Sequence, residues 1–122
     1  MREVILDTET TGLDPQTGHR LVEIGAVELI NHTATGANYQ TYINPERDVD
    51  AGAQEIHGLT NEFLKQHPTF ADIYIEFMNF LSDSTLVVHN APFDLAFINM
   101  ELSRLEMAPI CSERVIAVSY TH

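Results

Sequence analysis

Three acidic side chains carry the chemistry this sequence could perform. Asp7 and Glu9 stand two residues apart, directly after the apolar run Val4-Ile5-Leu6 and before Thr10-Thr11-Gly12. Side chains two apart on a strand point to one face, so the pair should sit side by side at the mouth of a sheet. Carboxylates held that close repel and titrate together unless a cation neutralises them. Paired hard oxygen ligands suit Mg2+ or Mn2+. Taken alone, Asp-x-Glu also describes a solvated pair at a strand edge; the apolar strand before it and the small-residue turn after it favour a site. The third acid, Asp94, falls in the first turn of a helix that follows Thr85-Leu86-Val87-Val88. Ligands of open α/β sheets gather at the carboxyl ends of strands, which brings Asp94 to the same end as Asp7 and Glu9.

The elements that must position these acids follow from spacing and turn chemistry. Leu13 to Gly18 holds Pro and Gly where the chain reverses. Residues 21–30 read as a second strand with Glu23 and Glu28 on opposite faces and Gly25 as a point of bulging or close backbone approach. A polar connection over 31–36 leads to a third strand over 38–43, giving an antiparallel meander. Asp50 as N-cap and Gly58 as terminator bracket a short helix, and Thr60 starts another. After Pro68, the spacing of Phe70, Ile73, Phe77 and Phe80 predicts an amphipathic helix whose aromatic stripe is core rather than a base-stacking platform. Thr85–Val88 reads as a strand buried on both faces in a parallel pairing. Pro92 suits the first turn of the next helix, with Leu95, Ile98, Leu102 and Leu105 as its buried stripe and an end near residues 107–109. Residues 110–122 have room for one more strand. The class is α/β, a single domain over residues 1–122.

Composition bounds the function. With 44% hydrophobic and 20% charged residues in a 122-residue chain, a folded domain of modest core is expected. No run is long enough to span a bilayer, and the lone Cys111 fits a reducing compartment and reads as a small hydrophobe, so a cytoplasmic protein is expected. Six Lys and Arg against eighteen Asp and Glu give a net charge of −12. That excludes tight binding of nucleic acid through a basic face, which depends on counterion release. A nucleic-acid substrate must instead be held through metal ions and a local pocket, or be delivered by a partner.

The motifs resemble a known family. Asp-Thr-Glu-Thr-Thr-Gly at 7–12 with Glu-Ile-Gly-Ala-Val at 23–27 is similar to the first motif region of DEDD-type 3′–5′ exonucleases. Ile-His-Gly-Leu-Thr at 56–60 and His-Asn-Ala-Pro-Phe-Asp at 89–94 match the subgroup that contains the proofreading epsilon subunit of bacterial DNA polymerase III. The resemblance covers roughly residues 2–106, with the motifs in the family's order. It implies a ribonuclease H-like mixed sheet, three antiparallel strands beside parallel ones, flanked by helices. It also implies removal of nucleotides from DNA 3′ ends with two divalent cations, Mg2+ or Mn2+, roughly 3.5–4 Å apart. By that resemblance Asp7 bridges both ions, Glu9 ligates one, and Asp94 acts directly or through a bound water. His57 lies beside the terminal nucleotide, which Thr8, Thr10 and Gly12 approach from their turn. Ala53, Asn90 and Phe93 complete the substrate side, and His89 orders the turn before Asp94. The implied partner is a DNA polymerase catalytic subunit.

The family's third motif, His-x-Ala-x-x-Asp, is not among the 122 residues, and Gly52 stands where epsilon-like members often carry a substrate-side Glu. Residues 112–117 also depart from the family's Asp-Ser/Thr-Leu pattern, and His122, with no Asp after it, is not nominated as a base. Absence of the general base alone forfeits ~10²–10⁴ in rate. The expectation is a domain lacking its C-terminal part, with an uncovered sheet edge available for self-association. Two alternatives stay open beside the proofreading nuclease. One is a catalytically incomplete module that binds a nucleotide or a polymerase; the other is a 3′–5′ exoribonuclease.

Overall fold

The computed structural model describes residues 1–117; His122 lies outside the described residues. Five strands form one mixed sheet in the order β3-β2-β1-β4-β5. They are β1 (Arg2–Thr10), β2 (Leu21–Ile30), β3 (Thr33–Tyr42), β4 (Thr85–Val88) and β5 (Val115–Ala117). β1 to β3 are antiparallel neighbours, while β4 runs parallel to β1 and β5 parallel to β4. The helices are α1 (Ala51–His57), α2 (Asn61–Leu64), α3 (Phe70–Leu81) and α4 (Ala91–Arg104). This is the mixed α/β sheet that the sequence predicts.

One face of the sheet meets the helices. Val4 and Leu6 of β1, Ile24 and Ala26 of β2, and Leu86 and Val88 of β4 pack in one core with residues of α3 and α4. Period-two alternation turns the remaining β1 side chains to the other face, where Ile5 and Asp7 are exposed and Glu9 is half-buried. On that face Val27, Ile5, Val87 and Ile116 stand in register across four strands, an open apolar row. β4 is therefore buried on its α4 side only, and the expectation of burial on both faces is corrected: Val87 belongs to the open row.

Other differences have local causes. β3 starts at Thr33 rather than residue 38, because Asn31 and His32 both take positive φ (49° and 67°) and close a two-residue hairpin. Gly25 lies opposite Asp7 with nothing within 4 Å of where a Cβ would stand, so it is neither a bulge nor a close contact; the register shifts lie elsewhere. The buried stripe of α3 ends on Leu81 rather than Phe80, whose ring is half-buried beneath the Arg2 guanidinium at 5.3 Å. In α4, Phe97, Ile98 and Leu102 are buried, whereas Leu95 and Leu105 are half-buried. That helix ends at Arg104, ahead of the expected 107–109, where Leu105 caps it and Glu106 adopts a φ of 59°.

One buried ion pair fixes α4 to the sheet. Glu101, on the same side of the helix as Asp94, is 1% exposed and accepts two bonds from Arg20, at 2.6 Å and 3.0 Å. A forked guanidinium–carboxylate contact of this kind is both strong and directional. It ties the start of β2 to the helix that carries the third acid. Phe77→Ala, at a fully buried site, should cost about 3–5 kcal/mol in chemical denaturation, whereas Ile75→Ala on the exposed side of α3 should stay within about 0.5 kcal/mol.

Candidate active site at the end of the central strand

The parallel register of β1 and β4 runs from Glu3 beside Thr85 to Leu6 beside Val88. The chain leaves β4 one residue before Asp7 on the neighbouring strand, and Asn90 then starts α4. Pro92 occupies the first turn of that helix, where its missing N–H leaves no bond unmade. Asp94 follows in the same turn, buried, with its N–H bonded to the Asn90 carbonyl at 3.1 Å. Its Oδ1 accepts a bond from the hydroxyl of Thr8, which lies between the two acids of β1. Asp7, Glu9 and Asp94 are thus brought to one end of adjacent strands.

Their electrostatics show the cost of that grouping. Burial pushes the Glu9 carboxyl above its ordinary range, and the negative charges of Asp7, Glu23 and Asp94 push it further. Burial likewise raises the Asp94 carboxyl, with Asp7 adding to the shift and the Thr8 hydroxyl opposing it. A nearby histidine opposes the shift of each, His57 for Glu9 and His89 for Asp94, to the extent that its ring is protonated. Oxygen-only donors short of positive charge match the preference of a hard divalent cation. Convergence is incomplete: among the described residues no three His, Cys, Asp or Glu side chains are arranged to ligate one ion together. The donor chemistry fits Mg2+ or Mn2+; Asp94 stays turned onto Thr8.

Beside the acids lies a cavity of about 590 Å³. Of the predicted substrate residues, Thr8, Glu9, Thr10, Gly12, Ala53, His57 and Phe93 line it. Asp7 lies outside it on the open face, and Asn90 is exposed at the start of α4. The His57 ring is fixed at both nitrogens, with Nε2 3.0 Å from the Thr10 carbonyl and Nδ1 accepting the Leu59 N–H at 3.1 Å. That pattern assigns the ring hydrogen to Nε2. Gly58 then ends α1 in the left-handed conformation, φ 73°.

Other lining residues are not marked as site residues by the sequence. Leu13 and Ile56 border the cavity at 83% and 82% exposure, one in a turn and one on a helix with no apolar stripe. The usable signals were an apolar residue in the turn, Leu13, and the Ile-His-Gly motif that contains Ile56. His19 and Asp50 are separated in the chain by β2 and β3, and no spacing rule joins them.

Comparison with known proteins gives the same direction. The model of the exonuclease family RNase_T matches residues 4–120. The chain is similar to the DNA polymerase III subunit epsilon of Rickettsia felis, 58% identical over 90% of this chain and 48% of the relative. The Escherichia coli subunit is 45% identical over 86% and 45% respectively. The chain therefore spans about half the length of the curated relatives it matches. Among solved structures, exonuclease X in complex with 5′ overhanging duplex DNA is 28% identical, with a TM-score of 0.64 over 78% of this chain and 52% of that one. Exonuclease I shares the fold, with a TM-score of 0.78 over 88% of this chain and 26% of that chain at 19% identity. Matched along nearly its whole length by that family's model, the chain belongs to the RNase_T exonucleases.

Proposed function

We propose that this chain is a metal-dependent 3′–5′ exonuclease acting on DNA 3′ ends, and that it serves proofreading beside a DNA polymerase catalytic subunit. The observation that carries this reading is the grouping of Asp7, Glu9 and Asp94 at one sheet end, short of positive charge and next to the cavity. The epsilon subunits and exonuclease X named above support DNA as the substrate and a polymerase as the partner. The acidic balance of the chain agrees with delivery by a partner, since tethering raises the local concentration of DNA ends without a basic grip.

In this mechanism Asp7 and Glu9 are the principal cation ligands, with Asp94 held behind them by Thr8. Two divalent cations, when bound, neutralise and polarise the scissile phosphate. Leu13 and Ile56 offer apolar surface to a base, and Phe93 closes the side next to α4. His57 positions the Thr10 turn and, with both ring nitrogens engaged, is not free to take a proton from water. A second reading, a module that binds a nucleotide without cutting, is favoured by the bond that turns Asp94 away from its partners.

Digestion of a 3′-labelled single-stranded DNA oligonucleotide separates these readings. Stepwise shortening that needs Mn2+ or Mg2+, stops with chelator and is abolished in Asp7→Ala is the expected result. No cleavage by the wild type, with Mn2+ binding that still requires Asp7, would establish the binding-only reading. Faster shortening of an RNA oligonucleotide of the same sequence would assign the chain to RNA instead.

Thermal unfolding gives a second prediction. Glu9 and Asp94 have raised values in the folded state, so the unfolded chain loses those protons more readily. The ion-free protein should lose stability as pH rises through the ordinary carboxylate range and on through the raised values. Mn2+ should raise the melting temperature, and more at about pH 7.5 than at about pH 5, where protons compete for the same oxygens. Asp94→Asn keeps the acceptor for Thr8 but removes the buried charge. It should melt a few degrees higher than wild type without metal and show a smaller rise with Mn2+. An Mn2+ effect of equal size in Asp94→Asn would remove Asp94 from the ligand set.

A further inference from the structure

Helix α1 forms a wall of the cavity through Ala53, Ile56 and His57, yet none of its seven residues is buried. Ala53 alone is packed against a core cluster, the small one of Val22, Val49 and Leu64. A helix this short, with so little apolar anchorage, must be placed by polar tethers. The structure shows where they run. The Asp50 N–H, immediately before the helix, donates to the Thr11 carbonyl at 2.9 Å. Asp50 is the N-cap residue, but its carboxylate caps nothing in its own helix. Instead Oδ2 lies 3.3 Å from Nε2 of His19, and Oδ1 lies 3.6 Å from Arg47.

His19 is held from two further sides. Its Nδ1 is 2.8 Å from Oγ1 of Thr11, a side chain with no exposure, and that oxygen accepts the Arg20 N–H at 3.0 Å. One direction of donation satisfies every group: Arg20 N–H to the Thr11 hydroxyl, that hydroxyl to Nδ1, and Nε2–H to the Asp50 carboxylate. The ring is also seated against the turn without a gap. A Cβ on Gly12 would come within 2.4 Å of its Cε1 and Nδ1.

We propose that His19 is a positioning residue of the nucleotide pocket, tethering α1 to the Thr11–Gly12 turn through Asp50. The inference rests on the reading of this cavity as the nucleotide site. The ring fixes the separation between the wall bearing Ala53 and His57 and the strand end bearing Glu9. Arg20, next in sequence, performs the matching task for α4 through Glu101. One dipeptide therefore sets both walls of the site, with His19 itself on the cavity lining.

The test compares His19→Phe, which keeps a ring but no nitrogen, with His19→Gln, which keeps an acceptor and a donor. Two readouts are taken: amide hydrogen exchange, and titration with dAMP. In His19→Phe the Gln54 and Gly58 amides of α1 should exchange about tenfold faster while α4 is unchanged, and dAMP should bind about tenfold more weakly. His19→Gln should recover most of both effects. Asp50→Ala, which leaves the ring in place, should reproduce the acceleration confined to α1 and serves if His19→Phe does not fold. Wild-type exchange and affinity in His19→Phe would overturn the proposal, as would an acceleration spread equally over α4, which marks a residue that merely supports the fold. A wild-type chain that does not bind dAMP would defeat the nucleotide reading of the cavity, while the exchange measurement would still decide whether the tether exists.

Discussion

The parallel pairing of β1 with β4 is the constraint on which the rest of the structure depends. Four residue pairs, from Glu3–Thr85 to Leu6–Val88, fix how far β4 runs along the central strand before the chain turns into α4. Because side chains alternate with a period of two, a slip of one residue would send Val4 and Leu6 to solvent and Asp7 and Glu9 into the core. The hydrophobic pattern forbids that slip. The burial of Leu6 and Val88 thus places a carboxylate pair one step beyond the core, and places Asp94 within bonding reach of Thr8.

Glu9 and Asp94 then work against the stability of the fold that assembles them. Both face negative charge from their neighbours and are partly stripped of water, without a fixed Lys or Arg among the forces acting on them. Such a cluster persists only because its supports are strong elsewhere. On one side these are the α3–α4 core and the Arg20–Glu101 fork. On the other, α1 contributes little burial and is held by His57 on the Thr10 carbonyl and Asp50 on His19. The site therefore has a rigid wall at α4 and a polar, more easily loosened wall at α1.

Much of this was legible from local signals. The bounds of β2, the Asp50–Gly58 limits of α1, the strand at Thr85–Val88 and the place of Asp94 in the first turn of α4 follow from periodicity, caps and the strand-end rule. The resemblance to DEDD exonucleases, carried by four motifs in order, agrees with the family match. What sequence alone did not disclose depends on contacts between distant residues. Asn31 and His32 close a tight hairpin through backbone conformation that their types merely permit. Leu81, one turn after Phe77, completes the buried stripe, while the Phe80 ring stays half-buried beneath Arg2. His19 and Asp50 sit 31 positions apart in the chain, and only the folded turn brings ring to carboxylate.

The central claim is that the end of β1 is a cation site bordering a nucleotide pocket. Anomalous diffraction from crystals grown with Mn2+ and dAMP tests it most directly. The account predicts a manganese peak within coordination distance of the Asp7 and Glu9 carboxylates, with the nucleotide in the cavity between Gly12, Ala53 and His57. Nucleotide and manganese found together elsewhere, with Asp7 and Glu9 left in solvent, would contradict it.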